Sequence, residues 1–239
     1  MVKSAGEEKP VDLVLEVGSG RGALTRTLAQ VFPKVIAVEK DGILAGELIR
    51  ALAKENVSNC EIISGDILKV DIAALLGNHT YAVIANIPYY LTSRLIRTFL
   101  EHQKKPNYMI LMVQKEVAER IVARPPDMNL LALSVQAYGK PWIIGRVSKK
   151  EFVPVPQVDS AIVKISGISK NFFTEKKISE KDFFALIRAG FSQKRKLLSN
   201  SLAKFYGNKK LAEEKIKKAG LSASARPQEI PIEEWTRLM

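Results

Sequence analysis

Between Val11 and Ile168, short apolar runs rich in β-branched residues alternate with stretches in which apolar positions recur at helical spacing. The runs Leu13 to Val17, Val35 to Glu39, Cys60 to Ser64, Tyr81 to Ala85, Met109 to Val113, Trp142 to Val147 and Ala161 to Ile165 have the length and composition of strands. This alternation predicts an α/β fold, a mostly parallel sheet wrapped by helices. The last two runs have no long helix between them. Glu151 to Asp159 joins them as an irregular loop, so the sheet is expected to finish in an antiparallel, hairpin-like edge. After Gly167 the strand pattern ends. Lys181 to Ala189, Lys194 to Phe205, Lys209 to Ala219 and Pro231 to Leu238 have helical spacing, with Gly190, Gly207-Asn208 and Gly220 as stops. Two domains are expected: residues 1–168 with the sheet, and a small all-helical domain at residues 169–239.

Composition narrows the class. The chain has 239 residues, 46% of them hydrophobic, enough for a sizeable core. No apolar stretch approaches the roughly 20 residues of a membrane span, and Met1 to Lys9 lacks the apolar centre of a signal peptide. A cytoplasmic protein with no membrane partner is the expectation. The formal charge of +12 suits a partner covered in phosphates. From Ser169 to Met239 there are 16 Lys and Arg against 8 Asp and Glu, so most of the excess lies in the helical part. Cys60 is the single cysteine, and its place in Cys60-Glu61-Ile62-Ile63 reads as a small strand residue. His79 and His102 have no partners at ligand spacing. Neither a metal site nor a histidine-based triad is therefore expected.

Candidate chemistry gathers at the carboxyl ends of the predicted strands, where open α/β sheets bind ligands. Tyr81 to Ala85 runs into Asn86-Ile87-Pro88-Tyr89. An amide oxygen at Asn86 and the carbonyl of Ile87 are suited to accept both protons of an exocyclic amine. Pro88 stiffens the turn and leaves the Tyr89 ring to stack on a base. Taken alone, the same residues suit a strand-ending turn with one buried tyrosine. Glu16-Val17-Gly18-Ser19-Gly20-Arg21-Gly22 places glycines where a strand turns into a helix, as a nucleotide-cofactor loop requires. Gly18, Gly20 and Ala23 also satisfy a dinucleotide fingerprint. Glu16 favours the E/D-x-G-x-G-x-G loop of S-adenosylmethionine-dependent methyltransferases instead. Glu39, 19 residues after Gly20, can accept from two ribose hydroxyls, with Lys40 beside it. Asp66, at the end of the third run, can accept from an adenine amine, with Ile67 beside the ring.

With Glu16-Val-Gly-Ser-Gly, Val-Glu39-Lys-Asp, Gly65-Asp66-Ile-Leu and Asn86-Ile-Pro-Tyr in this order, the chain resembles the ribosomal RNA small-subunit adenine N6,N6-dimethyltransferase family. Val113-Gln114-Lys115-Glu116-Val117-Ala118-Glu119-Arg120 and Phe152-Val-Pro154-Val-Pro156-Gln-Val-Asp159-Ser160 are similar to further motifs of that family. So are Phe191-Ser192-Gln193-Lys194-Arg195-Lys196-Leu197 and Arg226-Pro227-Gln228-Glu229-Ile230. The resemblance spans Leu13 to the end and implies a Rossmann-like, S-adenosylmethionine-dependent methyltransferase sheet followed by a basic helical domain. It implies dimethylation of adenine N6 in small-subunit ribosomal RNA by a monomer without a metal. Glu16, Gly18, Ser19, Gly20, Glu39, Lys40, Asp66, Ile67 and Asn86 would then bind S-adenosylmethionine. Asn86, Ile87, Pro88, Tyr89 and Phe152 would hold the target adenine, and Lys194, Arg195 and Lys196 would contact RNA phosphates. Two departures stand out. Met1 to Val11 do not match the G-Q-N-F-L segment that family members usually carry, and Arg124 to Asn129 replaces a usually glycine-containing stretch. Rival readings are large-subunit adenine methylation of the resistance type, a catalytically weak RNA-binding assembly factor and, remotely, a nicotinamide oxidoreductase.

Overall fold

The computed structural model describes every residue except Lys194 and Arg195, together with all but the side chain of Tyr89. Two compact units emerge: residues 1–118 with 140–168, and residues 119–139 with 169–239. The division expected at residue 168 thus differs at one point. Residues 119–139, placed by the sequence pattern with the sheet, cluster with the C-terminal helices.

The first unit is built on seven strands: β1 Leu13–Val17, β2 Val35–Glu39, β3 Cys60–Ser64, β4 Tyr81–Asn86, β5 Tyr108–Gln114, β6 Lys140–Val147 and β7 Ser160–Ser166. Their spatial order is β3-β2-β1-β4-β5-β7-β6. β1 pairs in parallel with β2 through Val14↔Val35 to Val17↔Val38, and with β4 through Leu13↔Tyr81 to Leu15↔Val83. β1 and β2 are buried throughout, which is why they read as unbroken apolar runs rather than alternating ones. β7 runs antiparallel to both β5 and β6, as the missing crossover helix requires. The loop entering β7 is pinned at Asp159: its carbonyl accepts from the Lys115 N–H at 3.0 Å and its carboxylate from the Lys149 N–H at 3.0 Å.

Helices α1 Val2–Ala5, α2 Ala23–Ala29, α3 Gly42–Lys54, α4 Ile72–Leu76 and α5 Thr92–Glu101 belong to this unit, and α6 Lys115–Ile121 contains the division. α3 starts where Asp41 caps it, its carboxylate accepting from the N–H groups of Ile43 and Leu44 at 2.8 and 3.2 Å. α1 has no counterpart in the sequence pattern. It is held because Ala5 packs into a cluster with Val14, Val35, Ala82, Ile84 and Ile110. Polar anchoring comes from Lys164, a buried cation within an apolar strand that needs partners. Its ammonium lies 3.1 Å from the Ser4 carbonyl, 3.3 Å from Glu7 Oε2 and 2.9 Å from Glu8 Oε1. Burial works to raise the Glu8 carboxyl, but the Ser166 hydroxyl and Lys164 outweigh it and hold Glu8 below the usual carboxylate range.

The second unit contains α7 Leu130–Gln136, α8 Asn171–Lys176, α9 Glu180–Gly190, α10 Leu198–Tyr206, α11 Lys209–Lys218 and α12 Ile232–Trp235. The helix expected from Lys194 instead starts at Leu198, after a 3-10 turn at Phe191–Gln193. The last expected helix is a single turn followed by a second 3-10 turn, Thr236–Leu238. Aromatic rings dominate this core. Phe173 packs edge-on against Tyr138, Phe172 and Phe183, with centroids 5.3 to 5.7 Å apart. Phe191 stacks on the fully buried Trp235 at 5.7 Å.

Gly190 is the position this core can least change. A Cβ there would lie 2.3 and 2.7 Å from two ring carbons of Trp235. Gly190→Ala gains helix propensity of about 0.5–1 kcal/mol, yet overpacking costs about 1–3 kcal/mol. The expected outcome is a net loss of stability and a lower midpoint in guanidinium denaturation followed by tryptophan fluorescence; an unchanged or raised midpoint would show that the ring moves freely.

Candidate cofactor and base site

β1 ends at Val17, and the chain turns through Gly18, Gly20 and Gly22 at φ of 74°, 53° and 82° before α2. This left-handed backbone is where glycine is required. At Gly22 there is also no room, since a Cβ would sit 2.2 Å from Leu48 Cδ1. The loop is tied to β2 twice. Gly18 N–H donates to the Val38 carbonyl at 2.9 Å, and Gly20 N–H donates to Glu39 Oε2 at 2.8 Å. Glu39 Oε1 accepts from the Asp41 N–H at 2.9 Å, so the carboxylate joins the glycine loop to the start of α3. Each oxygen retains acceptor capacity for a ligand.

Beyond β3, Asp66 Oδ1 accepts from the Leu68 N–H at 3.1 Å, and Oδ2 lies 3.3 Å from Lys40 Nζ. The Leu68 N–H and then the Lys40 ammonium hold the Asp66 carboxyl below the usual range, as an acceptor requires. At the end of β4, Asn86 is exposed while Ile87, just beyond, is buried, with its N–H donated to the Met112 carbonyl at 3.2 Å. Pro88 opens a 3-10 turn at Tyr89–Leu91, closed by the Leu91 N–H on the Pro88 carbonyl at 2.9 Å. This turn passes close to the glycine loop. A Cβ on Gly18 would be 3.6 Å from Pro88 Cδ and 3.8 Å from the Asn86 carbonyl oxygen.

These strand ends enclose a cleft of about 240 Å³ lined by Val17, Gly18, Val38, Glu39, Lys40, Gly65, Asp66, Ile67, Leu68, Pro88, Tyr90, Leu91 and Arg94. Of the residues singled out from sequence, Gly18, Glu39, Lys40, Asp66, Ile67 and Pro88 meet on its walls. Glu16, Ser19 and Gly20 lie in or beneath the loop, and Asn86 adjoins the cleft through the approach of its carbonyl to Gly18. Phe152 is half-buried, ends the 3-10 turn Lys149–Glu151 and is not part of the cleft lining. Tyr89 contributes its backbone to the turn. Lys196 is exposed in the second unit; Lys194 and Arg195 lie outside the described residues. Sequence reading missed Tyr90 and Arg94. Their four-residue spacing across a proline-initiated turn was the available signal.

Glu16 is the most costly residue of the site. It is 1% exposed in the middle of the apolar β1. Its Oε2 and the hydroxyl of Ser19 are buried without hydrogen-bond partners. Burial pushes the Glu16 carboxyl up to about 7; Thr25 opposes this and the charge of Glu39 adds to it. Orphaned acceptors below a glycine loop, with two further carboxylates on the adjoining strand ends, fit a ligand carrying an ammonium, a ribose and an adenine, the groups of S-adenosylmethionine. Among the described residues there is no cluster of potential metal ligands, and no helix is long and apolar enough to cross a membrane.

Sheet order and cleft define a Rossmann-like, S-adenosylmethionine-dependent methyltransferase. A family model described as ribosomal RNA adenine dimethylase matches residues 3–239. Ribosomal RNA small subunit methyltransferase A of Dehalococcoides mccartyi is 43% identical over 238 residues, covering 98% of this chain and 80% of that protein. The crystal structure of a dimethyladenosine transferase from Plasmodium falciparum matches with a TM-score of 0.83 and 26% identity, over 99% of this chain and 92% of that one. The 23S rRNA methyltransferase ErmE, at 24% identity and a TM-score of 0.76 over 99% and 93% of the two chains, shares the fold. The chain belongs to the ribosomal RNA adenine dimethylase family.

The raised carboxyl of Glu16 has a measurable sign. Its protonated form is favoured by the fold, so its stabilising effect is complete below the ordinary value of 4.5 and is lost as pH rises through about 7. In the ligand-free protein, thermal unfolding of the wild type and of Glu16→Gln should diverge over this window. The wild type is expected to lose up to about 3 kcal/mol relative to the variant by pH 8. A difference that stays constant with pH would mean that Glu16 is ionised throughout.

Proposed function

We propose that this protein transfers methyl groups from S-adenosylmethionine to the N6 amines of adenines in small-subunit ribosomal RNA, producing dimethyladenosine during subunit biogenesis. The observation that carries this reading is the approach of the Asn86-Ile87-Pro88 turn to Gly18, which brings an amine-accepting strand end against the cofactor loop. Family membership over residues 3–239 supports the same substrate class.

S-adenosylmethionine, when bound, supplies an electrophilic methyl group on a sulfonium. The rest of the chemistry belongs to positioning. An adenine amine is a poor nucleophile because its lone pair is delocalised into the ring. Accepting its two protons at Asn86 Oδ1 and the Ile87 carbonyl turns that pair out of the ring plane and toward the cleft. Ile87 is anchored for this role by its N–H, which donates to the Met112 carbonyl across the strand pair. Tyr89 and Phe152 are assigned to the two faces of the target base, which leaves its helix or loop to enter the site. Glu39 is assigned to the cofactor ribose, Asp66 with Ile67 to its adenine, and Glu16 to the ammonium end of its amino-acid tail. Holding both reactants in line provides much of the rate, and the displaced amine proton passes to water. The same pocket accepts a once-methylated amine for the second round.

The basic helical unit, with Lys194, Arg195 and Lys196, is assigned to RNA phosphates, in keeping with the concentration of positive charge after Ser169. We place the protein in the cytoplasm, acting as a monomer on small subunits or their precursors.

Incubation with undermethylated small subunits and labelled cofactor is expected to label adenine in the small-subunit RNA. Asn86→Ala should lower kcat by about 10² or more while S-adenosylhomocysteine still binds. Label on large-subunit RNA alone, or full activity of the Asn86 variant, would overturn the assignment.

A further inference from the structure

The turn after Asn86 carries two side chains that the chemistry above does not use. Tyr90 is 81% exposed, unusual for a large aromatic, and it stands at the cleft wall. Arg94, in the first turn of the helix that follows, is exposed and lines the same cleft. Nothing in the fold accounts for the arginine. It lies in the first turn of α5, where the helix dipole disfavours a cation. Among the described residues no carboxylate lies within ion-pairing distance of it, whereas Arg97, one turn further, pairs with Glu101 at 3.1 Å. The other cation of the cleft, Lys40, is paired with Asp66.

We propose that Tyr90 and Arg94 form the seat for the RNA strand beside the target adenosine, Arg94 holding a phosphodiester and Tyr90 stacking on an adjacent unpaired base. This rests on the methyltransferase reading given above and adds a substrate-positioning element to the catalytic unit itself, separate from the basic helical unit. An adenine drawn into the Asn86 site must bring its own phosphates to the cleft mouth. A planar guanidinium is suited to grip one there, and a flat ring with a free face is suited to the base that the departing adenine leaves exposed.

The full chain tests this with Arg94→Ala, Tyr90→Ala and, as control, Arg97→Ala, since Arg97 is exposed and outside the cleft. Three quantities are read: S-adenosylhomocysteine affinity, KM for small-subunit RNA, and the slope of log affinity for a single-stranded RNA against log salt. Arg94→Ala is expected to raise KM about tenfold and to reduce the salt slope by about 0.7, one phosphate contact on a single strand. Cofactor affinity should stay unchanged. Tyr90→Ala should raise KM about tenfold without altering the salt slope, and Arg97→Ala should match the wild type. A fall in S-adenosylhomocysteine affinity with Arg94→Ala would assign the guanidinium to the cofactor carboxylate and overturn the proposal, as would wild-type RNA kinetics in both variants. Adenine labelling by the wild-type chain is scored separately, so failure of the seat is distinguishable from failure of the enzymatic reading.

Discussion

β1 pairs in parallel with β2 on one side and β4 on the other, and the chain leaves β1 toward β2 but returns to the opposite side through β4. Crossovers therefore diverge above the carboxyl end of β1. A crevice at that point is a consequence of topology before any side chain is chosen. The glycine loop, the carboxylates at Glu39 and Asp66 and the Asn86 turn all belong to strand ends on or near this crevice. Their functions are separable, but their meeting depends on one reversal of strand order.

Within that crevice, Glu39 holds the geometry together. Both of its oxygens accept backbone N–H groups, from Gly20 and from Asp41. A carboxylate that reads from sequence as a ribose acceptor is thus also the clasp that sets the loop before a ligand arrives. This is preorganisation in a plain sense: the loop conformation, with three left-handed glycines, is already stabilised by a charge-assisted contact. Glu16 works in the opposite direction. Its buried carboxylate, with Oε2 unpartnered, costs the ligand-free fold.

β1, β2 and β4 were legible because buried parallel strands are uninterrupted apolar runs, and the antiparallel edge followed from the absence of a long helix between the last two runs. The acids at strand ends were legible because polar residues closing apolar runs need a reason. Other features were not. α1 depends on Lys164, and a lone lysine in β7 gives no hint that its partners lie some 160 residues earlier. The start of α10 at Leu198 was obscured because the basic run before it has good helix propensity, and the pattern does not announce the 3-10 turn at Phe191–Gln193. Nothing local in residues 119–139 reveals which core they join. Phe152 was assigned to the site through its motif. The structure also gives that motif a structural part at Asp159, which ties the link to both Lys115 and Lys149.

The arrangement of charge at the cleft follows from a conflict between its two ligands. The chain as a whole is at +12, which favours a phosphate-rich partner, yet the cofactor needs acceptors for its hydroxyls, amines and ammonium. Carboxylates on an open surface would repel the RNA that must approach. Here Glu16 and Glu39 are 1% and 8% exposed, screened from the approaching strand by the loop and backbone that cover them. Asp66, more open, is neutralised by Lys40. At the mouth, the unpaired cation is Arg94 among the described residues lining the cleft. Depth thus sorts sign, with acids below for a cationic cofactor and a guanidinium above for an anionic strand. The price of that sorting is the buried carboxylate of Glu16, and it is incurred on the strand at which the sheet order reverses.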